Sequence, residues 1–200
     1  ATVDINSDGK FDVICTGDDA AYGFKWAINN TTANATSNNY SFSSISYQAT
    51  TQNYSNLFEG DFNNDGKMDV FVYRNNSASV FRNTSTSTTS YGFSTKTDLS
   101  LGSLSVYAVQ TADLNNDGYL DLILGTNGTG GNAIYFYRNT TSSTGGNLSF
   151  ASGVKIIEAV GGTLHHIEVV DINNDGYWDI ISKGNSSTNI EIYLNKINNP

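Results

Sequence analysis

The chain has 200 residues, about one domain's length, and its 10 basic against 19 acidic residues give a formal net charge of −9. Because an acidic chain repels phosphate groups, this charge argues against nucleic acid and anionic membrane surfaces as partners. With one cysteine there is no internal disulfide, and no apolar run reaches the roughly 18 residues of a membrane-spanning helix, so we expect no membrane insertion.

Four segments repeat the nine-residue pattern Asp-x-Asn-x-Asp-Gly-x-x-Asp, and their first residues are 57, 52 and 58 positions apart. They are residues 4–12, 61–69, 113–121 and 171–179. These segments hold twelve of the nineteen acidic residues. Chance does not place such a pattern four times at near-constant spacing, so the chain is built from internal repeats.

Each segment predicts a loop that binds Ca²⁺. Positions 1, 3, 5 and 9 supply side-chain oxygens, position 7 a backbone carbonyl, and Gly at position 6 permits the sharp turn. Hard oxygen ligands without His or Cys favour Ca²⁺ over Zn²⁺, and Mg²⁺ prefers a tighter octahedron. We predict up to four Ca²⁺ ions. The predicted side-chain ligands are Asp4, Asn6, Asp8 and Asp12; Asp61, Asn63, Asp65 and Asp69; Asp113, Asn115, Asp117 and Asp121; and Asp171, Asn173, Asp175 and Asp179. The predicted backbone ligands are the carbonyls of Lys10, Lys67, Tyr119 and Tyr177.

An EF-hand shares the first six positions but requires Glu at position 12. Those positions here are Cys15, Val72, Leu124 and Ser182. The flanks also lack helical periodicity, so the EF-hand interpretation fails and the loops join strands.

Short apolar stretches around each loop predict four strands per repeat. One strand enters the loop, as at 107–112 and 166–170, and a second leaves it, at 11–15, 68–72, 120–124 and 178–182. A third ends in Asn, at 24–29, 78–83, 134–139 and 190–195, and a fourth follows a polar linker, at 40–47, 91–97 and 148–157. Four short strands per roughly 55 residues indicate an all-β fold, a β-propeller of four blade repeats.

These loops, each followed by an apolar strand and then a strand ending in Asn, resemble the FG-GAP/VCBS repeat across essentially the whole chain. That family forms the calcium-bearing propellers of integrin α subunits and of secreted microbial proteins and lectins. The resemblance implies that the loop residues above bind calcium and that the blades are arranged radially. The family's Phe-Gly/Gly-Ala-Pro signature is present only as Tyr22-Gly23-Phe24 and Tyr91-Gly92-Phe93, which favours the microbial branch.

We divide the chain, as a single propeller domain or propeller segment, into repeats at about 1–53, 54–104, 105–163 and 164–200. Only five residues follow Asn195, so the fourth blade is predicted to lack its outermost strand. We expect that the repeats belong to a larger propeller or that neighbouring copies complete this edge, because an uncovered edge strand is a template for association. A closed four-bladed ring is the alternative.

Calcium demand, the single cysteine and eleven Asn-x-Ser/Thr sequons predict an extracellular or cell-surface glycoprotein. The sequons are Asn29, Asn30, Asn34, Asn39, Asn53, Asn75, Asn83, Asn127, Asn139, Asn147 and Asn185. Residues Ala1–Asp4 match neither a signal peptide nor an anchor, so we expect a mature form or a segment of a longer protein.

Trp26 and Trp178 align with apolar residues of the other repeats, which predicts packing between blades. Cys15 aligns with Val72, Leu124 and Ser182 and is predicted to be a small core residue. We find no catalytic triad, no paired carboxylates outside the loops and no phosphate-binding loop, and expect no enzyme activity.

Three functions remain. The first is an extracellular recognition or adhesion module, in its sharpest form a lectin, whose partner is a glycan or an extracellular protein. The second is a structural subunit of a glycosylated surface filament or matrix, which self-associates. The third, by family analogy, is an accessory module of a secreted enzyme that acts on polysaccharide.

Overall fold

The computed structural model describes residues 1–17, 22–32, 39–128, 131–158, 163–184 and 190–195. These residues form strands joined by turns and loops, without a helix, and so include no helix that could cross a membrane. The all-β class predicted from the sequence is confirmed.

Four sheets follow one another along the chain, and within each sheet the strands lie in sequence order. The first contains β1 (Thr2–Val3), β2 (Asp12–Thr16), β3 (Tyr22–Ala27) and β4 (Ser46–Ala49). The second contains β5 (Asn56–Gly60), β6 (Asp69–Arg74), β7 (Ser77–Phe81) and β8 (Thr97–Asp98). The third contains β9 (Ser105–Ala112), β10 (Asp121–Gly128), β11 (Gly131–Tyr137) and β12 (Val154–Glu158). The fourth contains β13 (Leu164–Val170), β14 (Asp179–Gly184) and β15 (Glu191–Tyr193). Each sheet is therefore blade-like and corresponds to one sequence repeat.

The described chain divides into two compact units. The first comprises Ala1–Asp61, Asp65–Arg74 and Ala78–Asp98, and the second comprises Phe62–Asn64, Asn75–Ser77 and Leu99–Pro200. In the first unit Ile14, Phe24 and Trp26 of the first sheet share a core with Val70 and Val72 of the second. In the second unit the core joins β9–β11 to β13 and β14, and it includes Ile123, Ile134, Leu164, Ile167 and Ile180.

The second strand of each sheet leaves the loop at the position-9 Asp and is apolar over successive residues. In β6 and β10 the first four residues, from Asp69 and from Asp121, are all buried. Successive apolar, buried residues are typical of a strand whose sheet is covered on both faces. These central strands are thus packed on both sides.

The outer strands β4, β8 and β12 are shorter and begin later than predicted. Phe42, Phe93 and Phe150 instead make single bridges to Asn29, Asn83 and Asn139. In the first two repeats a serine interrupts the ladder, because the hydroxyls of Ser43 and Ser94 accept the N–H groups of Ile28 and Arg82. Side-chain hydroxyls compete with backbone acceptors in this way.

Of the three residues predicted to be buried, the tryptophans between blades and Cys15 in the core, only Trp26 is buried. Trp178 is 42% exposed, because it lies at the loop end of its sheet, beyond the packed faces. Cys15 is also exposed, since its side of β2 is opposite to the side that packs on the second repeat.

Candidate metal centres

The four aspartate loops have one backbone conformation. Position 4 has a positive φ of 57° or 58° in every loop, at Ser7, Asn64, Asn116 and Asn174. Position 6 is Gly with φ between 81° and 90°, at Gly9, Gly66, Gly118 and Gly176. Because side chains with a Cβ rarely adopt the second conformation, Gly at position 6 is required by the turn.

The side chains of positions 1 and 5 hold each loop in shape by accepting its own N–H groups. In the first loop Asp4 accepts from Asp8 and Gly9 at 3.1 and 2.8 Å, and the Asp8 Oδ1 accepts from Lys10 at 3.0 Å. The equivalent bonds recur in the other three loops at 2.7–3.1 Å. Oxygens of positions 1 and 5 are thereby turned toward the interior of the turn.

The Asp at position 9 is fully buried in every repeat, which the sequence did not reveal. In the first repeat one oxygen of Asp12 accepts the N–H of Ile5 at 2.8 Å and the other accepts the N–H of Asn29 at 2.8 Å. The same pair of bonds is made by Asp121 and Asp179. This Asp therefore connects the loop to the end of the third strand.

Buried carboxylates with only neutral hydrogen-bond donors carry an uncompensated negative charge. Burial, together with repulsion from Asp117 and Asp113, raises the pKa of Asp121 to about 6, against the hydrogen bonds from Asn139 and Leu114 that lower it. Burial likewise raises the pKa of Asp12, and Asp8 and Asp4 add to this shift. In the first and third loops the surroundings of the buried carboxyl therefore oppose its negative charge, which a bound cation would offset.

The residues present fit a hard divalent cation. A carboxylate has about four lone-pair directions, so an oxygen that accepts one N–H retains capacity for a ligand bond. Within the described part of the chain, however, no three Asp, Glu, His or Cys side chains converge on a point as a metal-binding group. The ligand sets given above therefore remain predictions.

The loops differ in how the position-3 Asn is held. The Asn6 amide nitrogen donates to the Thr88 carbonyl at 3.1 Å as well as to Asp8 of its own loop at 3.4 Å, and the Asn63 amide nitrogen donates to the Gly146 carbonyl at 3.2 Å. Both residues are buried. In the third and fourth loops Asn115 and Asn173 are more exposed and donate within the loop to the position-5 Asp, at 2.9 Å in each case.

A second recurrent contact joins the loop of one repeat to the following repeat. The amide nitrogen of the Asn after the third strand donates to the position-2 carbonyl of the preceding loop. These bonds run from Asn83 to Ile5 at 2.9 Å, from Asn139 to Phe62 at 2.7 Å and from Asn195 to Leu114 at 3.4 Å. The repeated Asn in the sequence was the signal for this contact, although its partner was not deduced.

The family model for the FG-GAP-like repeat matches residues 4–72, 61–124 and 113–182. The chain belongs to the FG-GAP-like repeat family. Each match begins at one aspartate loop and ends in the strand that leaves the next loop, so it covers two successive loops. The FG-GAP-like repeat is a non-catalytic module for structure and recognition, common in extracellular proteins. A comparison with curated proteins finds no significant match.

Proposed function

We propose that this FG-GAP repeat chain is a calcium-stabilised extracellular recognition module, in which the loops hold exposed contact residues in fixed positions. The observation that carries the proposal is the residue at position 8 of the loops. In three of the four loops this residue is large, apolar and at least 42% exposed, namely Phe11, Met68 and Trp178, whereas Leu120 of the third loop is half-buried. Exposed large apolar side chains that recur beside a structured loop are typical of a binding surface.

Position 8 lies between two predicted calcium ligands, the position-7 carbonyl and the position-9 carboxylate. In the fourth repeat Trp178 is thus bracketed by Tyr177 and Asp179. A loop whose two flanking residues are fixed also fixes the backbone of the residue between them. Such pre-organisation lowers the entropy cost of binding a ligand.

The predicted ligand oxygens at positions 1, 3, 5, 7 and 9 would hold the metal. Ca²⁺ supplies positive charge at each loop, and four ions change the formal net charge from −9 to about −1. The chain's own contribution is the fixed turn, the buried Asp and the outward position-8 side chain. Calcium sites of extracellular modules bind at roughly 10⁻⁴ to 10⁻³ M, so loops of that class would be filled outside the cell.

Within the second unit an apolar groove of about 330 Å³ provides the best candidate for the ligand site. Its lining combines Trp178 with Ile156, Tyr193 and the amide-bearing Asn195. An open groove with an exposed indole suits a ligand that has one apolar face and a polar rim. A carbohydrate ring has this character, so we infer that the ligand is a glycan.

Glycosylation of this chain is restricted by the fold. Asn83 and Asn139 are buried and their amide nitrogens donate to neighbouring carbonyls, so these two sequons are structural. Asn30, Asn39 and Asn75 are exposed. The sequons at Asn34 and Asn185 lie outside the described residues.

A glycan array probed with the chain in calcium and in EDTA tests the proposal. We expect binding to a defined sugar in calcium, and at least a tenfold loss in EDTA and in Trp178→Ala. Tyr40→Ala is the control, because Tyr40 is an aromatic residue that is 75% exposed but lies outside the loops and outside the groove. Absence of calcium-dependent binding to any sugar, or equal losses in the two variants, would contradict the glycan site.

A further inference from the structure

Each repeat has two faces that differ in what they pack against. We call the front face of a repeat the side of its sheet that carries the first and third residues after the position-9 Asp. The rear face is the opposite side, which includes position 2 of the loop. In the first unit the rear face of repeat 1 packs on the front face of repeat 2, and Val70 and Val72 of that front face are fully buried.

Hydrogen bonds accompany this packing. The Ile5 carbonyl, at the rear face of repeat 1, accepts the Asn83 amide nitrogen and the Ser85 hydroxyl, both at 2.9 Å. In the second unit the Leu114 carbonyl of repeat 3 accepts the Asn195 amide of repeat 4. The front-face residue Ile180 of repeat 4 shares a core there with Leu114. One rule of contact therefore applies in both units.

The rear face of repeat 4 is apolar but exposed. Ile172, Ile190 and Ile192 are 42%, 65% and 52% exposed. Their equivalents in repeat 1 are buried, and these are Ile5, Phe24 and Trp26. The sequence thus retains the contact residues of a rear face where the described residues do not cover them.

The front face of repeat 1 has the complementary property. Val13 is 42% exposed and Cys15 is exposed, whereas the equivalent Val70 and Val72 are fully buried. Asn29 donates its amide to the Phe11 carbonyl of its own repeat at 3.1 Å. Asn139 makes the same bond to its own repeat and a second bond to the preceding loop. An amide nitrogen has two hydrogens, so the Asn29 amide can donate a second bond of the same kind.

We propose that the rear face of repeat 4 binds the front face of repeat 1 of a second copy of this chain. The apolar side chains of β14 and β15 would cover Val13, and the Asn29 amide would donate to the Ile172 carbonyl of the other copy. A second copy fits this face because the two faces together carry the groups that join successive repeats inside each unit. Repeat 1 carries the Asn donor, repeat 4 carries the position-2 carbonyl acceptor, and both carry the apolar residues. Because the contact is head-to-tail, it generates a filament or a ring of copies. It does not depend on the glycan site.

Light scattering after size exclusion, in calcium and over a hundredfold range of concentration, tests this contact. We expect the weight-average mass to rise above twice the 21.6 kDa of one chain. Ile192→Glu blocks the rear face of repeat 4, and Val13→Glu blocks the front face of repeat 1. Each variant alone is expected to remain monomeric, whereas an equal mixture forms dimers, because one open face of each kind remains.

Val154→Glu is the matched control, since Val154 is 59% exposed on the outer strand of repeat 3 and belongs to neither face. It is expected to assemble like the unaltered chain. A chain that stays monomeric at every concentration overturns the proposal. So does a variant that dimerises alone, because that result indicates contacts between identical faces. Circular dichroism of each variant verifies that the fold is retained. The glycan array tests the glycan site and has no bearing on this contact.

Discussion

The first and fourth repeats contain the same loop and the same sequence of strands, but opposite faces are exposed. In repeat 1 the rear face is buried and Val13 on the front face is exposed, whereas in repeat 4 Ile180 on the front face is buried and Ile192 on the rear face is exposed. Their loops differ in the same sense, since Asn6 is buried and Asn173 is exposed. The neighbouring repeat, rather than the motif, therefore determines the environment of these loops.

The largest expected effect comes from the position-2 isoleucines. Ile5→Ala should lower the free energy of unfolding by about 3 kcal/mol, because Ile5 is fully buried and its truncation leaves a cavity. Ile172→Ala should cost less than about 1 kcal/mol, since the side chain is already partly in water. Urea unfolding of both variants measures the difference. Equal losses would show that the two rear faces are equally covered in solution.

The asparagines after the third strand give a smaller effect. Asn83→Ala should cost about 2 kcal/mol, because the buried Ile5 carbonyl loses a donor. Asn29→Ala should cost about half as much. Both asparagines accept the N–H of the residue two positions later, so that loss is common to the two variants. Within the described residues, however, the Asn29 amide donates to its own repeat and not to another one. Thermal unfolding at fixed calcium distinguishes the two. A larger loss for Asn29 would contradict the contact rule between repeats.

Much of this arrangement could be predicted from the sequence, because the Asp-x-Asn-x-Asp-Gly-x-x-Asp spacing specifies a turn and its apolar flanks specify strands. Burial could not be predicted in the same way. Trp178 aligns with apolar residues of other repeats, yet position 8 faces outward. One of the two hydrogen bonds to Asp12 comes from Asn29, 17 positions away, and the Ser43 bond that shortens the outer strand competes with a ladder bond that the sequence equally allows.

The smallest effect concerns differences among the loops in calcium affinity. Asn6 is buried and donates to Thr88 of the following repeat as well as to Asp8 of its own loop, whereas Asn173 is exposed and donates to Asp175 of its own loop. We therefore expect Asn6→Ala to remove a pre-organised ligand and to weaken its site by about tenfold, and Asn173→Ala to weaken its site by about threefold. Calorimetric titration with calcium measures both. The reverse order would show that the contact with the following repeat does not organise the loop.

The central claim is that the four aspartate loops bind calcium and are stabilised by it. Binding to the folded chain alone adds about 2.7 kcal/mol per site at a hundredfold excess over the dissociation constant. Thermal unfolding of the intact chain in EDTA, in excess calcium and in excess magnesium is the direct test. We expect the melting temperature to fall markedly in EDTA, to be restored by calcium and to be restored less by magnesium. An unchanged melting temperature in EDTA, for a chain first loaded with calcium, would contradict it.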